Sequence, residues 1–144
     1  MPKSTTACND ILALLFNATA IANIADNASS SPLTNLYLSL HTANPGVGGA
    51  QTTNETAYTN YVRVAVARTT GGWSVPSSGA TANAALVQFA QCGVTGATIT
   101  YVAIGTASSG TGKVLYSGAL SSSLAVAQLI QPQFAISALT VTES

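Results

Sequence analysis

Leu36-Tyr37-Leu38-Ser39-Leu40-His41 alternates leucine with an aromatic or polar residue. That is the period of two of a β-strand with one face buried, so the stretch reads as a half-buried strand with its leucines turned to a core. Asn44-Pro45-Gly46, extended by Gly48-Gly49, is a turn signal, and a polar loop runs on to about Asn60. Similar signals recur downstream. Tyr61 to Arg68 reads as a strand with Arg63 on one face and Arg68 on the other. Gly71-Gly72 makes a turn before a short strand at Trp73-Ser74-Val75, and another strand is expected around Ala85 to Phe89. Thr98 to Ile104 alternates cleanly, and Val114 to Tyr116, Leu120 to Val126, Ile130 to Ile136 and Leu139 to Thr142 complete the series. Short strands punctuated by Gly, Pro, Asn and Ser predict a mainly β chain, an antiparallel β-sandwich. Nothing repeats at a fixed period, which argues against a solenoid or propeller.

The segment before Leu36 has a different pattern. Residues 5–26 read as an N-terminal α-helix, capped by Thr5 or Thr6, with Asp10 in its first turns. Ile11, Leu14, Leu15, Ala18, Ile21, Ala22 and Ala25 fall at helical spacing, and Leu12 and Phe16 widen the apolar stripe to a second side. A helix this apolar either contacts a second surface beyond its own domain or simply packs on a sheet. A polar connector runs from Asn27 to Thr34. The expected organisation is an N-terminal helical arm and linker over residues 1–33 and a β-sandwich domain over residues 34–144.

Composition narrows the chemistry. The 144 residues carry four Lys or Arg, four Asp or Glu and one His, for a formal net charge of zero. Acid–base, nucleophilic and metal-assisted catalysis all need ionisable groups, so a chain this poor in them is expected not to be an enzyme. His41 is the sole imidazole, and no G-x-S-x-G surrounds any serine. Lys3, Arg63, Arg68 and Lys113 are scattered, which argues against a basic phosphate-binding patch, so nucleic acid is not expected as a partner. Cys8 and Cys92 belong to no metal-ligand cluster. They are expected as buried free thiols, with a Cys8–Cys92 disulfide as the alternative. Ala107-Ser-Ser-Gly-Thr-Gly-Lys113 imitates a phosphate loop, but Ala107 replaces its first glycine, Val114 replaces the metal-binding hydroxyl residue, and strand follows instead of helix. A hairpin loop is the expected structure there. No cofactor or metal is expected. The apolar run from Ile11 to Ala25 is too short to span a bilayer and is interrupted by Asn17, Thr19 and Asn23, so no membrane partner is expected.

What remains is surface contact. The candidate interface residues are Ile11, Leu12, Leu15 and Phe16 on the helix, the two arginines Arg63 and Arg68, and Trp73. Each has an ordinary alternative: core packing for the apolar residues and Trp73, a solvated or snorkelling position for the arginines.

Several stretches together resemble a group of small virion proteins of tailed bacteriophages. They are Leu36-Tyr-Leu-Ser-Leu-His-Thr-Ala-Asn-Pro-Gly46, Asn54-Glu-Thr-Ala-Tyr58, Tyr61-Val-Arg-Val-Ala-Val-Ala-Arg68, Gly72-Trp73, Ala103-Ile-Gly-Thr-Ala-Ser-Ser-Gly110 and Gly112-Lys-Val-Leu-Tyr-Ser-Gly-Ala-Leu120. Members of the group are named tail fibre proteins, and some look like head decoration (cement) proteins with a jelly-roll fold. The resemblance implies a non-enzymatic virion component made in the bacterial host cytoplasm, and it supplies no catalytic residue. The first expectation is a capsid cement protein on the outer head surface, with the major capsid protein and its own copies, as dimer or trimer, for partners. The alternative is a tail or tail-fibre component.

Overall fold

The computed structural model describes residues 4–21 and 33–143. The element order is α1 (Thr5–Phe16), β1 (Asn35–His41), β2 (Val64–Ala67), β3 (Ala80–Ala82), β4 (Val87–Gln88), β5 (Ala97–Gly105), β6 (Val114–Val126), β7 (Gln133–Phe134) and β8 (Thr140–Thr142). The class is the expected one: mainly β, antiparallel, with one short helix at the N-terminal end. The strands form a four-stranded sheet in the order β2-β1-β5-β6 and two small ladders, β3-β8 and β4-β7. By contact density the described chain divides into two compact units. One holds residues 4–21, 33–35, 66–87 and 134–143; the other holds 36–65 and 88–133.

In the first unit, Ser4 caps α1, its Oγ accepting the Ala7 N–H at 3.2 Å, one position ahead of the threonines favoured by the sequence. The helix stops at Phe16, well short of residue 26. Asn17 leaves the helical region and Ala18 turns left-handed at φ 54°. Residues 22–26 of the expected helix lie outside the described residues. The buried stripe is Cys8, Leu12 and Phe16, spaced by four. The face read as the widening of the stripe is therefore the core face, and Ile11, Leu14 and Leu15 stay half-buried. Phe16 meets Trp73 edge to face, with centroids 4.6 Å apart. β3 and β8 pair antiparallel, with Thr81 opposite Val141. Asn83, wholly buried, ties this unit's returning segments together: its Nδ2 donates to Ala85 O and Ala135 O, each at 2.8 Å, and its Oδ1 accepts the Leu139 N–H at 2.9 Å.

In the second unit, β1 and β5 pair from Tyr37 opposite Gly105 to His41 opposite Tyr101. β6 runs unbroken for 13 residues, joining two segments that the sequence pattern separated at Ser117-Gly118-Ala119. Leu36, Leu38 and Leu40 are buried as the alternation required, but so are Ser39 and His41. The strand is covered on both faces toward its end, because loop residues 50–56 lie over its polar side.

Candidate functional site

The polar side of β1 builds the site. His41 Nδ1 lies 2.9 Å from Thr53 O, and its Nε2 lies 2.9 Å from Ser39 Oγ. A carbonyl can only accept, so Nδ1 carries the proton and Nε2 accepts from the Ser39 hydroxyl. Burial lowers the His41 pKa and keeps the ring neutral. Both ring nitrogens are thus committed, and the ring is shut away from solvent. It anchors the 50–56 loop.

Glu55 follows immediately. It bridges His41 through the backbone and turns its carboxylate to Arg63. Arg63 forks onto it, Nε to Oε1 at 2.6 Å and Nη2 to Oε2 at 2.7 Å. The Tyr61 hydroxyl donates to Oε1 at 2.9 Å and accepts the Leu40 N–H at 3.0 Å. The remaining Arg63 donors go to backbone carbonyls of the β5–β6 loop, Nη1 to Ala107 at 2.9 Å and Nη2 to Gly110 at 2.8 Å. The guanidinium side chain is 3% exposed and the carboxylate side chain 15%, so this pair is a buried staple between two loops. The Glu55 hydrogen bond holds the guanidinium charged.

Gln51 makes a second staple between the same loops. Wholly buried, it accepts the Ala107 N–H on Oε1 at 2.9 Å and donates from Nε2 to Tyr37 O at 3.3 Å. Gly105 and Gly112 make room for it; a methyl group at either position would overlap the Gln51 amide. The Ala107–Lys113 segment is therefore a hairpin loop, as expected, and its backbone is held by a guanidinium and an amide. Beside the Arg63 staple lies an open hollow of about 380 Å³, lined by Tyr58, Tyr61, Arg63 and Ser108 among others. Burial pushes the Tyr58 phenol up to about 12 and the Tyr61 phenol higher still, so neither ionises near neutral pH. The hollow presents a carboxylate whose two oxygens are already bonded and phenols that stay protonated.

The other residues singled out from the sequence do not join this cluster. Arg68 is in the first unit and caps the helix C-terminus: Nη2 donates to Leu14 O, Nε to Leu15 O and Nη1 to Leu33 O, each at 2.6 Å. It supplies positive charge and donors where a helix leaves carbonyls unmet. Leu12, Phe16 and Trp73 are 0% exposed and form the core of that unit, while Ile11 and Leu15 keep part of their surface. Arg63 lies in the second unit, buried as described. Sequence reasoning missed Glu55, Gln51 and Asn83. The readable signal for Glu55 was its rarity: a chain with four acids and a strand arginine close by has few other choices of counter-charge. Cys8 and Cys92 are both buried and unbridged. Among the described residues no group of His, Cys, Asp or Glu is arranged to hold a metal, and no helix is long and apolar enough to cross a membrane.

A family model described as Podophage GP4 fiber I protein gp80 matches residues 2–142, so the chain belongs to that family of bacteriophage fibre proteins. No curated protein matches it.

Proposed function

We propose that, within this family, the chain is a building subunit of a virion fibre that works by surface contact and not by catalysis. One observation carries the reading: the scarce charged and titratable groups of the interior are bound to the chain's own backbone or to each other. Arg63 holds Glu55 and two carbonyls, Arg68 holds three carbonyls, and His41 holds a carbonyl and a hydroxyl. Meanwhile large apolar side chains face solvent: Val47, Val94 and Leu129 in one unit, Val75 and Ile136 in the other. Isolated exposed apolar residues are ordinary, but here they sit on a chain of zero net charge, which lacks the self-repulsion that keeps monomers apart. Contact energy from apolar burial also survives changes in salt.

Four of the candidate contact residues for a cement role, Ile11, Leu12, Leu15 and Phe16, lie on the helix. Leu12 and Phe16 of that helix are used inside their own unit, and the family description speaks of a fibre. Both favour the fibre over the head surface. Imaging of whole virions, with an antibody to this chain, tests the choice. Label confined to fibre positions supports the proposal. Label spread over the head lattice, with the major capsid protein as neighbour, would replace it with the cement role. Turnover of any substrate by the purified chain, lost on His41→Gln, would overturn the non-catalytic part.

A further inference from the structure

We infer that the outer edge of β6 is a self-association surface that pairs with β6 of a second copy of this chain, antiparallel and about a two-fold axis. β6 is the last strand of the four-stranded sheet, and among the described residues no strand lies beyond it. An edge strand offers a row of unpaired N–H and C=O groups, and folded proteins normally blunt it with charge, proline, shortness or a cover. β6 is 13 residues long, and from Val114 to Val126 it has no charged residue and no proline. Nor is it covered. From Ser117 to Ala125 every residue is exposed except Leu120, which is half-buried, so both faces of the strand meet solvent.

The occupant follows from the side chains. In antiparallel pairing about a two-fold axis each strand faces its own sequence, so a charge near the axis would meet itself. The absence of any charge along β6 is the condition for self-pairing, and the zero net charge of the chain removes the wider repulsion between copies. Gly118, Ala119 and Ser121 to Ser123 are small and let a second backbone approach. Register shifts against β5, between Ile99 and Tyr101 and between Ile104 and Gly105, bend β6 but leave regular runs at Tyr116–Ala119 and Leu124–Val126. The Tyr116–Ala119 run is the segment that would pair: with the axis beside Gly118, Ser117 of one copy lies opposite Ala119 of the other.

The test uses the full chain and light scattering or sedimentation over a range of concentrations. The wild type is expected to approach twice its 14.4 kDa mass. Ser117→Lys with Ala119→Lys places two positive charges on one exposed face of β6, and circular dichroism checks that the fold stays intact. Association should weaken at least about tenfold through like charges set across the pair. Ser117→Glu with Ala119→Glu should weaken it similarly, and mixing the two variants should restore a mixed pair. A wild type that keeps the single-copy mass at every concentration would overturn the proposal, as would Lys variants that associate as tightly as the wild type. A ladder of ever larger species would overturn the two-fold arrangement, because it marks head-to-tail contacts.

Discussion

Replacing Arg63 by methionine removes the guanidinium while keeping most of its apolar bulk. It also strands three groups at once: the Glu55 carboxylate, bonded by the fork at 2.6 and 2.7 Å, and the carbonyls of Ala107 and Gly110. The carboxylate side chain is only 15% exposed, so water cannot fully take over. Breaking one side of a buried ion pair costs about 3–5 kcal/mol, because the remaining charge is left without compensation. That is a large share of the roughly 5–15 kcal/mol by which a folded domain is stable. Denaturant unfolding followed by circular dichroism, which reads both units, should show this loss as a lower midpoint with unchanged slope. Arg63→Lys keeps the charge but donates from a single nitrogen, so it should recover only part of the loss. The decisive comparison is Glu55→Leu combined with Arg63→Met. Removing both charges leaves no unpaired ion, so the double variant should be more stable than Arg63→Met alone. If Arg63→Met costs less than about 1 kcal/mol, the magnitude of an exposed pair, the staple between the two loops is not real.

Four further outcomes are expected. Arg68→Ala should destabilise the first unit by about 1–3 kcal/mol through the carbonyls of Leu14, Leu15 and Leu33, and α1 amides should exchange hydrogen faster. Phe16→Ala should cost about 3–5 kcal/mol and shift the emission of Trp73, its edge-to-face partner, to the red; an unchanged spectrum would mean that the helix does not share that core. Gly105→Ala should destabilise by about 1–3 kcal/mol, and Gln51→Ala in the same chain should add less than its separate effect, since it removes the overlapping amide. The folded state holds His41 neutral, with a pKa below the ordinary 6.5, so the unfolded chain binds its proton first as pH falls. Stability is then full above pH 6.5 and declines below it by at most about 1.4 kcal/mol per pH unit. In His41→Gln the stretch of the pH–stability curve just below 6.5 should be flat, because this is the sole histidine.

The fold class was readable because period two is a direct consequence of a pleated strand with one face buried. Thr98 to Ile104 shows the method at its best: the observed strand, Ala97–Gly105, exceeds it by one residue at each end. β1 shows where it fails. Alternation identified the strand but implied a wet polar face, and no local pattern could reveal that Thr53, twelve residues on, would close over His41, or that Ser39 would be buried with it. The helix was found but drawn too long. Its end is set at Asn17 and Ala18 and by Arg68, a cap donated from more than fifty positions away. The strand β3 at Ala80–Ala82 was missed, because three residues carry too little periodicity to register and its partner β8 is far along the chain. Of the site, the sequence singled out Arg63 as a candidate contact residue but not its partner Glu55 or the neighbouring Gln51, which sit in a loop without periodic signal.

The pattern of charge use links the parts. A chain with so few ionic groups cannot stabilise long irregular loops by distributing many surface pairs, each of which contributes little. It concentrates a few multidentate donors at points where backbone carbonyls converge. Arg63 gathers the 106–110 loop, Arg68 gathers the helix end and Leu33, and Gln51 and Asn83 do the same with neutral amides. Each such donor fixes several chain segments at once, so the loops are held from within. Apart from the exposed Lys113 the described outer surface carries little charge, and its serine, alanine, glycine and isolated apolar residues can meet another protein surface with few ions to desolvate. For the contact role proposed above this division is the physically consistent one: the Arg63–Glu55 pair inside for rigidity, a charge-poor surface outside for contact.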